Sequence, residues 1–192
     1  MYSCNAFFRL LLVKLLAKKR YVITGAPCSG KSTLIQLLSR ENIPVFQEAA
    51  RFVINEELAN GSDSVPWKDN YGFSSLVVDK QVRDFKKAQK GLNFYDRALP
   101  DVSAYLHHHD QKHLLDKFVK VTKENTYEKD VFILPPWKEI YSKDEARVES
   151  FEEAISIDTH LKSVYKEFGY NLITVPFASP INRLKFILDH CL

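Results

Sequence analysis

Eight consecutive residues near the front of the chain can bind a phosphate group. Residues 25–32 read GAPCSGKS and fill the pattern G-x-x-x-x-G-K-[ST] without a gap. An apolar run, 21–24, precedes them and an apolar-periodic helix pattern follows, so the motif has a strand-loop-helix setting. Glycines allow a tight turn whose N–H groups point inward at a helix N-terminus, where phosphate oxygens are favoured. We therefore predict a phosphate-binding loop whose nucleotide ligands are Gly25, Ala26, Pro27, Cys28, Ser29, Gly30, Lys31, Ser32 and Thr33.

The motif also indicates what the phosphates belong to. Lys31 supplies a cation for the β and γ phosphates, and the hydroxyl of Ser32 is placed to ligate Mg²⁺. We predict ATP and Mg²⁺ as cofactors and Lys31 as a catalytic residue.

An acidic residue and an arginine close the strand pattern LNFYDR. Asp96 has the position of a Walker B carboxylate, which holds Mg²⁺ directly or through water. The alternative is that Asp96 caps the helix that follows. Arg97 is predicted to contact phosphate, so Asp96 is a candidate for metal binding and catalysis and Arg97 for catalysis.

Glu48 follows the second strand, where a carboxylate can reach an acceptor hydroxyl and act as a general base. It is otherwise a helix N-terminal residue favoured by the helix dipole. Arg51 lies one turn further along, and a simple Glu48–Arg51 ion pair is the alternative to substrate contact for that arginine.

Arg147 lies in a charged loop before the last strand, with Lys138 and Lys143. A lid arginine at this place would neutralise charge on a transferred phosphoryl group. The alternative is a solvated charge cluster. The histidines near His109 are interpreted as a solvated helix surface and not a zinc site, because no cysteine or distant ligand pair accompanies them.

Short apolar strand patterns alternate with helix patterns throughout the chain, at 21–24, 45–46, 92–97, 131–134 and 171–175. Right-handed crossovers between such strands give a parallel sheet covered on both faces. We predict an α/β fold with a five-stranded parallel sheet. The finer class, a P-loop NTPase three-layer sandwich of nucleoside/nucleotide-kinase type, is what the family resemblance described below implies. One long polar helix is expected from Val102 to Glu124.

The composition narrows the class of protein further. With 192 residues the chain has the length of one domain, and its net charge of +3 is spread among interspersed cations and anions. Such a charge distribution leaves no extended surface for nucleic acid, so we expect no nucleic-acid partner. A nucleotide and a small-molecule acceptor are the partners that we expect instead. The odd number of distant cysteines, 3 in all, predicts a reduced, cytoplasmic protein.

Residues 1–19 differ from the rest because they carry basic residues and no acidic one. Their apolar runs are too short for a transmembrane span. A peripheral helix, an extension from an early start codon, a targeting segment and contact with a membrane surface stay open. The predicted division is a basic leader, 1–19, and one P-loop NTPase domain, 20–192.

The chain resembles the NadR-like AAA-domain family of small P-loop ATPases over about residues 20–188. The resemblance is carried by GAPCSGKST, EAAR, FYDRALPD, PPW, YSKDEAR and a closing R-x-x-F-I-L. It implies a kinase-like P-loop sheet that uses ATP and Mg²⁺, and it leaves the acceptor open.

These observations favour an ATP-dependent phosphotransferase acting on a small nucleoside- or nucleotide-like acceptor. The alternative is a regulatory ATPase or nucleotide-binding switch without an acceptor. A membrane-associated binding module that uses the basic leader is a third reading. A GTPase is disfavoured because no N-K-x-D motif occurs in the sequence.

Overall fold

The structure is a computed structural model that describes residues 17–141 and 149–191. The strands in this part form one all-parallel sheet with the order β2-β3-β1-β4-β5. Their bounds are β1 Lys18–Gly25, β2 Val45–Phe46, β3 Gly91–Asp96, β4 Asp130–Leu134 and β5 Asn171–Thr174. The predicted five-stranded parallel sheet is confirmed.

Helices connect successive strands and cover both faces of the sheet. The α-helices of the described residues are α1 Lys31–Arg40, α2 Ala49–Ala59, α3 Asn70–Lys86, α4 Leu99–His108, α5 Leu115–Glu124, α6 Phe151–Glu167 and α7 Pro180–Cys191. In the same described ranges, single 3₁₀ turns occur at Lys112–Leu114 and Lys138–Ile140.

Side chains that alternate along the central strands divide the core into two layers. In β1, Val22 packs in the cluster that α3, α4 and α6 cover, whereas Tyr21 and Ile23 pack in the cluster beneath α1 and α7. β4 alternates in the same way, with Ile133 on the first face and Phe132 on the second. Both faces of the sheet are therefore buried, which explains the nearly continuous apolar strand sequences.

The parallel register brings the carboxyl ends of three strands to one edge. Ile23 pairs with Asp96, and Gly25 pairs with Leu134. The chain segments that follow β1 and β3 therefore start side by side at this edge, where open α/β sheets bind ligands.

The first strand is longer than its apolar run predicts, because β1 begins at Lys18 and not at Tyr21. Lys18 and Lys19 pair with the start of β3, and the ammonium of Lys19 lies 3.1 Å from the Glu128 carboxylate. These two residues of the predicted leader thus belong to the sheet, while 1–16 lie outside the described residues.

The single helix predicted from Val102 to Glu124 is wrong. Helix α4 begins earlier, where the Asp101 carboxylate accepts a hydrogen bond from the Ala98 N–H, and it ends at His108. Asp110 then takes a left-handed conformation, with φ 55°, and α5 starts only after a 3₁₀ turn. No glycine or proline marks this break, so the sequence gives no turn signal for it.

Candidate functional site

The predicted phosphate-binding loop connects β1 to α1, and its glycines hold conformations that other residues cannot. Gly25 has φ 140°, and a Cβ there would lie 2.3 Å from the carbonyl oxygen of Leu134. Gly30 has φ 88° at the N-cap of α1. The loop thus passes directly against β4 and delivers its N–H groups to the first turn of α1, as an anion cradle requires. Ser32 and Thr33 are exposed in this first turn.

Lys31 is buried and folded back on the loop. Its ammonium donates hydrogen bonds to the carbonyl oxygens of Gly25 and Ala26 over 2.7 and 2.8 Å. Burial, and then the nearby charge of Arg97, lowers the pKa of Lys31 to about 8. The cation therefore lies within the loop that would receive phosphate, held by neutral carbonyl groups.

Asp96 lies at the carboxyl end of β3 and is 6% exposed. Its Oδ1 is buried and has no hydrogen-bond partner among the described residues. Burial raises the pKa of Asp96 to about 6, against the opposing effect of Lys31. The residue does not cap α4, whose N-cap is Ala98. A buried carboxylate oxygen without a donor fits a cation ligand such as Mg²⁺.

Arg97 is held between two carboxylates in a left-handed conformation, with φ 67°. Its Nε donates to Glu48 Oε1 over 2.9 Å, and its Nη1 donates to Asp101 Oδ1 over 3.2 Å. The guanidinium also lies 5.1 Å from the ring centroid of Tyr105. A non-glycine residue in this region costs about 1–3 kcal/mol and persists only where its surroundings hold it.

Glu48 occupies the N-cap position of α2, but its side chain makes no capping hydrogen bond. The carboxylate points to Arg97 and lines the cavity described below. Burial favours its neutral form, yet Arg97 and then Lys31 hold the pKa of Glu48 below its ordinary value. Its ion pair is with Arg97, so the simple Glu48–Arg51 pair is not found in the part of the chain that the structure describes.

Asp101 is the residue of this cluster to which the sequence analysis gave no role. Its Oδ1 accepts from Thr24 Oγ1 over 2.6 Å and from Arg97; its Oδ2 accepts from the Ala98 N–H and the Tyr165 hydroxyl. The one available signal was its spacing of four residues from Arg97 in the first turn of a helix. Asp101 therefore fixes Arg97 to β1 and α6.

A cavity of about 990 Å³ runs across this cluster. One end is walled by aromatic and apolar side chains of α3, α4 and the loop before α3, and it includes Trp67, Phe73, Val77 and Tyr105. The other end passes the phosphate-binding loop to Trp137 and to the start of α7, with Ser179 and Arg183. The charged residues Lys31, Glu48 and Arg97 line it between the two ends.

The structure describes one of the three charged residues predicted for the lid. Arg147 and Lys143 lie outside the described residues, and Lys138 is exposed in the 3₁₀ turn. Among residues 17–141 and 149–191, no group of three or more His, Cys, Asp or Glu side chains is placed to hold a metal ion. His108 instead meets His160 of α6, with ring centroids 5.6 Å apart.

The strand order and the loop at the end of β1 define a P-loop NTPase fold of the nucleoside and nucleotide kinase type. The chain belongs to the AAA domain family, whose model matches residues 20–183. No curated protein sequence matches the chain. None of the helices in the described ranges is long and apolar enough to cross a membrane.

Solved structures of similar fold include three at low sequence identity. NadR in complex with NR is 21% identical with a TM-score of 0.68, over 90% of this chain and 49% of that one. Deoxyadenosine kinase from M. mycoides with dCMP and dCDP is 12% identical with a TM-score of 0.64, over 89% and 97%. Thymidylate kinase from Ehrlichia chaffeensis is 17% identical with a TM-score of 0.60, over 92% and 100%. This chain thus spans about half of the NadR chain that it matches.

Proposed function

We propose that this protein is an ATP-dependent phosphotransferase that acts, with Mg²⁺, on a small nucleoside- or nucleotide-like acceptor. The observation that carries the proposal is the continuous cavity, which passes from the phosphate-binding loop, over Glu48 and Arg97, into a pocket with aromatic walls. A protein that only hydrolyses or senses a nucleotide has no need of that second, apolar compartment.

The residues around the phosphate-binding loop would have different roles in phosphoryl transfer. The loop N–H groups and Lys31 would hold the phosphates, while the Ser32 hydroxyl and the Asp96 carboxylate would hold Mg²⁺. Mg²⁺, when bound, neutralises charge on the phosphate oxygens. Arg97 would stabilise charge on the transferred group, and its ion pairs with Glu48 and Asp101, which hold the guanidinium beside the cavity, support this role.

Glu48 is the residue that would contact the acceptor hydroxyl. Its lowered pKa keeps the carboxylate ionised, so it can accept the hydroxyl hydrogen bond. It would then accept the proton as the acceptor oxygen bonds to the γ-phosphorus and the bond from that phosphorus to the leaving ADP oxygen breaks. The aromatic side chains Trp67, Phe73 and Tyr105 suit a planar ring on the acceptor. Arg147, as a lid arginine, stays part of the proposal.

The structural neighbours support the same class of acceptor. The similar folds are a deoxyadenosine kinase solved with dCMP and dCDP, a thymidylate kinase, and NadR solved with NR and, separately, with NAD and AMP-PNP. Each of those ligands carries a ring or a phosphate that the two ends of the cavity could accommodate.

The test is product analysis by mass spectrometry after incubation with ATP, Mg²⁺ and a panel of nucleosides and nucleotides. A phosphorylated acceptor, formed by the wild type and not by Lys31→Ala, is the expected result. Hydrolysis of ATP at the same rate with and without every acceptor would instead support the regulatory ATPase. The cytoplasmic location, the domain division at residue 20 and a membrane role for 1–19 stay predictions.

A further inference from the structure

Arg183 in α7 is a buried arginine that has no carboxylate partner within residues 17–141 and 149–191. It is 3% exposed and forms no ion pair with any described residue. Its Nη1 donates to the carbonyl oxygen of Ser29 over 3.0 Å, which places it on the rim of the phosphate-binding loop. Its Nε and Nη2 are buried and have no hydrogen-bond partner among the described residues.

The surroundings hold this guanidinium tightly in place. A Cβ on Gly30 would lie 2.8 Å from Nη1, so the loop backbone closes one side. The ring centroid of Trp137 lies 5.5 Å from Cζ on another side. Burial lowers the pKa of Arg183. A buried, unpaired charge is among the most costly groups that a fold can contain.

A purely structural contact does not require this arrangement. One N–H suffices to hold the Ser29 carbonyl, and a neutral side chain could provide it. The two unpartnered atoms, Nε and Nη2, lie on the same edge of the guanidinium plane. That edge is the fork that binds two oxygens of one phosphate or carboxylate.

We propose that Arg183 is a ligand for an oxyanion of the phosphate chain of the bound nucleotide, taken up by its Nε and Nη2 edge. The inference rests on the proposed function, because the nucleotide would supply a counter-charge that none of the described residues supplies to this guanidinium. Arg183 lines the donor end of the cavity together with Trp137, Ala178, Ser179 and Pro180. Because Trp137 covers the guanidinium, an oxyanion at that edge has to change the surroundings of the indole.

The first experiment measures binding of ATP and of tripolyphosphate, a probe without base or ribose, to the wild type, Arg183→Met and Arg183→Lys by calorimetry. Arg183→Met should weaken both ligands about tenfold or more, since hydrogen bonds to charged groups are among the strong ones. Arg183→Lys should recover only part of the loss, because an ammonium keeps the charge and not the fork.

Thermal unfolding without ligand separates this role from a structural one. Arg183→Met should unfold at the same temperature as the wild type or higher, because it removes an unpaired buried charge. If Arg183→Met unfolds at a lower temperature, the test passes to Arg183→Lys, because lysine keeps a donor for the Ser29 carbonyl. Weakened ATP and tripolyphosphate binding by Arg183→Lys then supports the proposal. Wild-type affinity in either folded variant overturns the proposal. A loss of ATP affinity without a loss of tripolyphosphate affinity also overturns it, because Arg183 would then contact the nucleobase or ribose and not the phosphates.

Tryptophan fluorescence gives a readout that a structural contact would not move. The chain has 2 tryptophans, so Trp67→Phe leaves Trp137 as the sole reporter. ATP should change the emission of Trp137 in the Trp67→Phe protein. In the double variant Trp67→Phe/Arg183→Met, ATP should leave that emission unchanged. An unchanged emission in the first protein, with binding verified by calorimetry, contradicts the proposal. If the wild type binds neither ATP nor tripolyphosphate, the proposed function fails and takes this inference with it.

Discussion

Arg97 Nε donates a hydrogen bond to Glu48 Oε1 over 2.9 Å, which joins the end of β3 to the N-cap of α2 across 49 positions of sequence. The pair lies beside the phosphate-binding loop and faces the cavity. A carboxylate that would contact the acceptor and an arginine that would contact phosphate are thus held as one unit.

Glu48→Gln should separate binding from chemistry. The amide keeps a hydrogen-bond acceptor for Arg97 but cannot take a proton, so ATP affinity should stay within a few-fold while turnover falls by about 10²–10⁴. Glu56→Gln, an exposed position on the same helix, is the matched control and should leave both unchanged. Equal turnover by Glu48→Gln and Glu56→Gln would show that Glu48 is not the general base.

Asp101→Asn should destabilise the protein and loosen Arg97. Each Asp101 oxygen accepts two hydrogen bonds, and an amide NH₂ would face donors in place of one oxygen. We expect a loss of about 1–3 kcal/mol in the free energy of unfolding, measured by urea denaturation. Thr24→Val, which removes one of the four donors, should cost less; a larger cost for it would contradict this account.

The affinity for ATP should weaken as the pH rises through about 8. Burial and Arg97 lower the pKa of Lys31 to about 8 in the free protein, so its charged form dominates below that pH and its neutral form above it. Between pH 7 and 9 the charged fraction falls from about nine-tenths to about one-tenth, which predicts about tenfold weaker binding. Calorimetry at pH 8 in two buffers should show proton uptake on binding.

Lys31→Arg is the control for this pH dependence, because a guanidinium stays charged over the whole range. Its ATP affinity should be flat between pH 7 and 9. A wild-type affinity that is equally flat would show that the Lys31 charge does not limit binding.

Asp96→Asn should abolish the contribution of Mg²⁺ to ATP binding. In the wild type that contribution should shrink as the pH falls through about 6, since burial raises the pKa of Asp96 to about 6 and a proton then competes with the metal. Calorimetry with and without Mg²⁺ at pH 5.5 and 7.5 measures both effects. Asp84→Asn, a carboxylate of α3 that pairs with Lys80, is the control and should keep the full Mg²⁺ dependence.

The sequence by itself determined the parts of this protein that are encoded locally. The motif at residues 25–32, the five apolar strands and the polar residues after two of them are contiguous patterns, so the parallel P-loop fold could be predicted and is confirmed. Asp96 and Arg97 were identifiable because a strand end is visible in the sequence. Their roles in metal and phosphate binding stay predictions.

Only the tertiary structure decided which distant side chains meet. Glu48 pairs with Arg97 and not with its neighbour Arg51, and Arg183 reaches Ser29 across 154 positions. Such contacts depend on the sheet order and on helix packing, and no local period or spacing encodes them. The break after α4 could not be predicted either, because Asp110 takes a left-handed conformation at a position where the sequence has no glycine to indicate a turn.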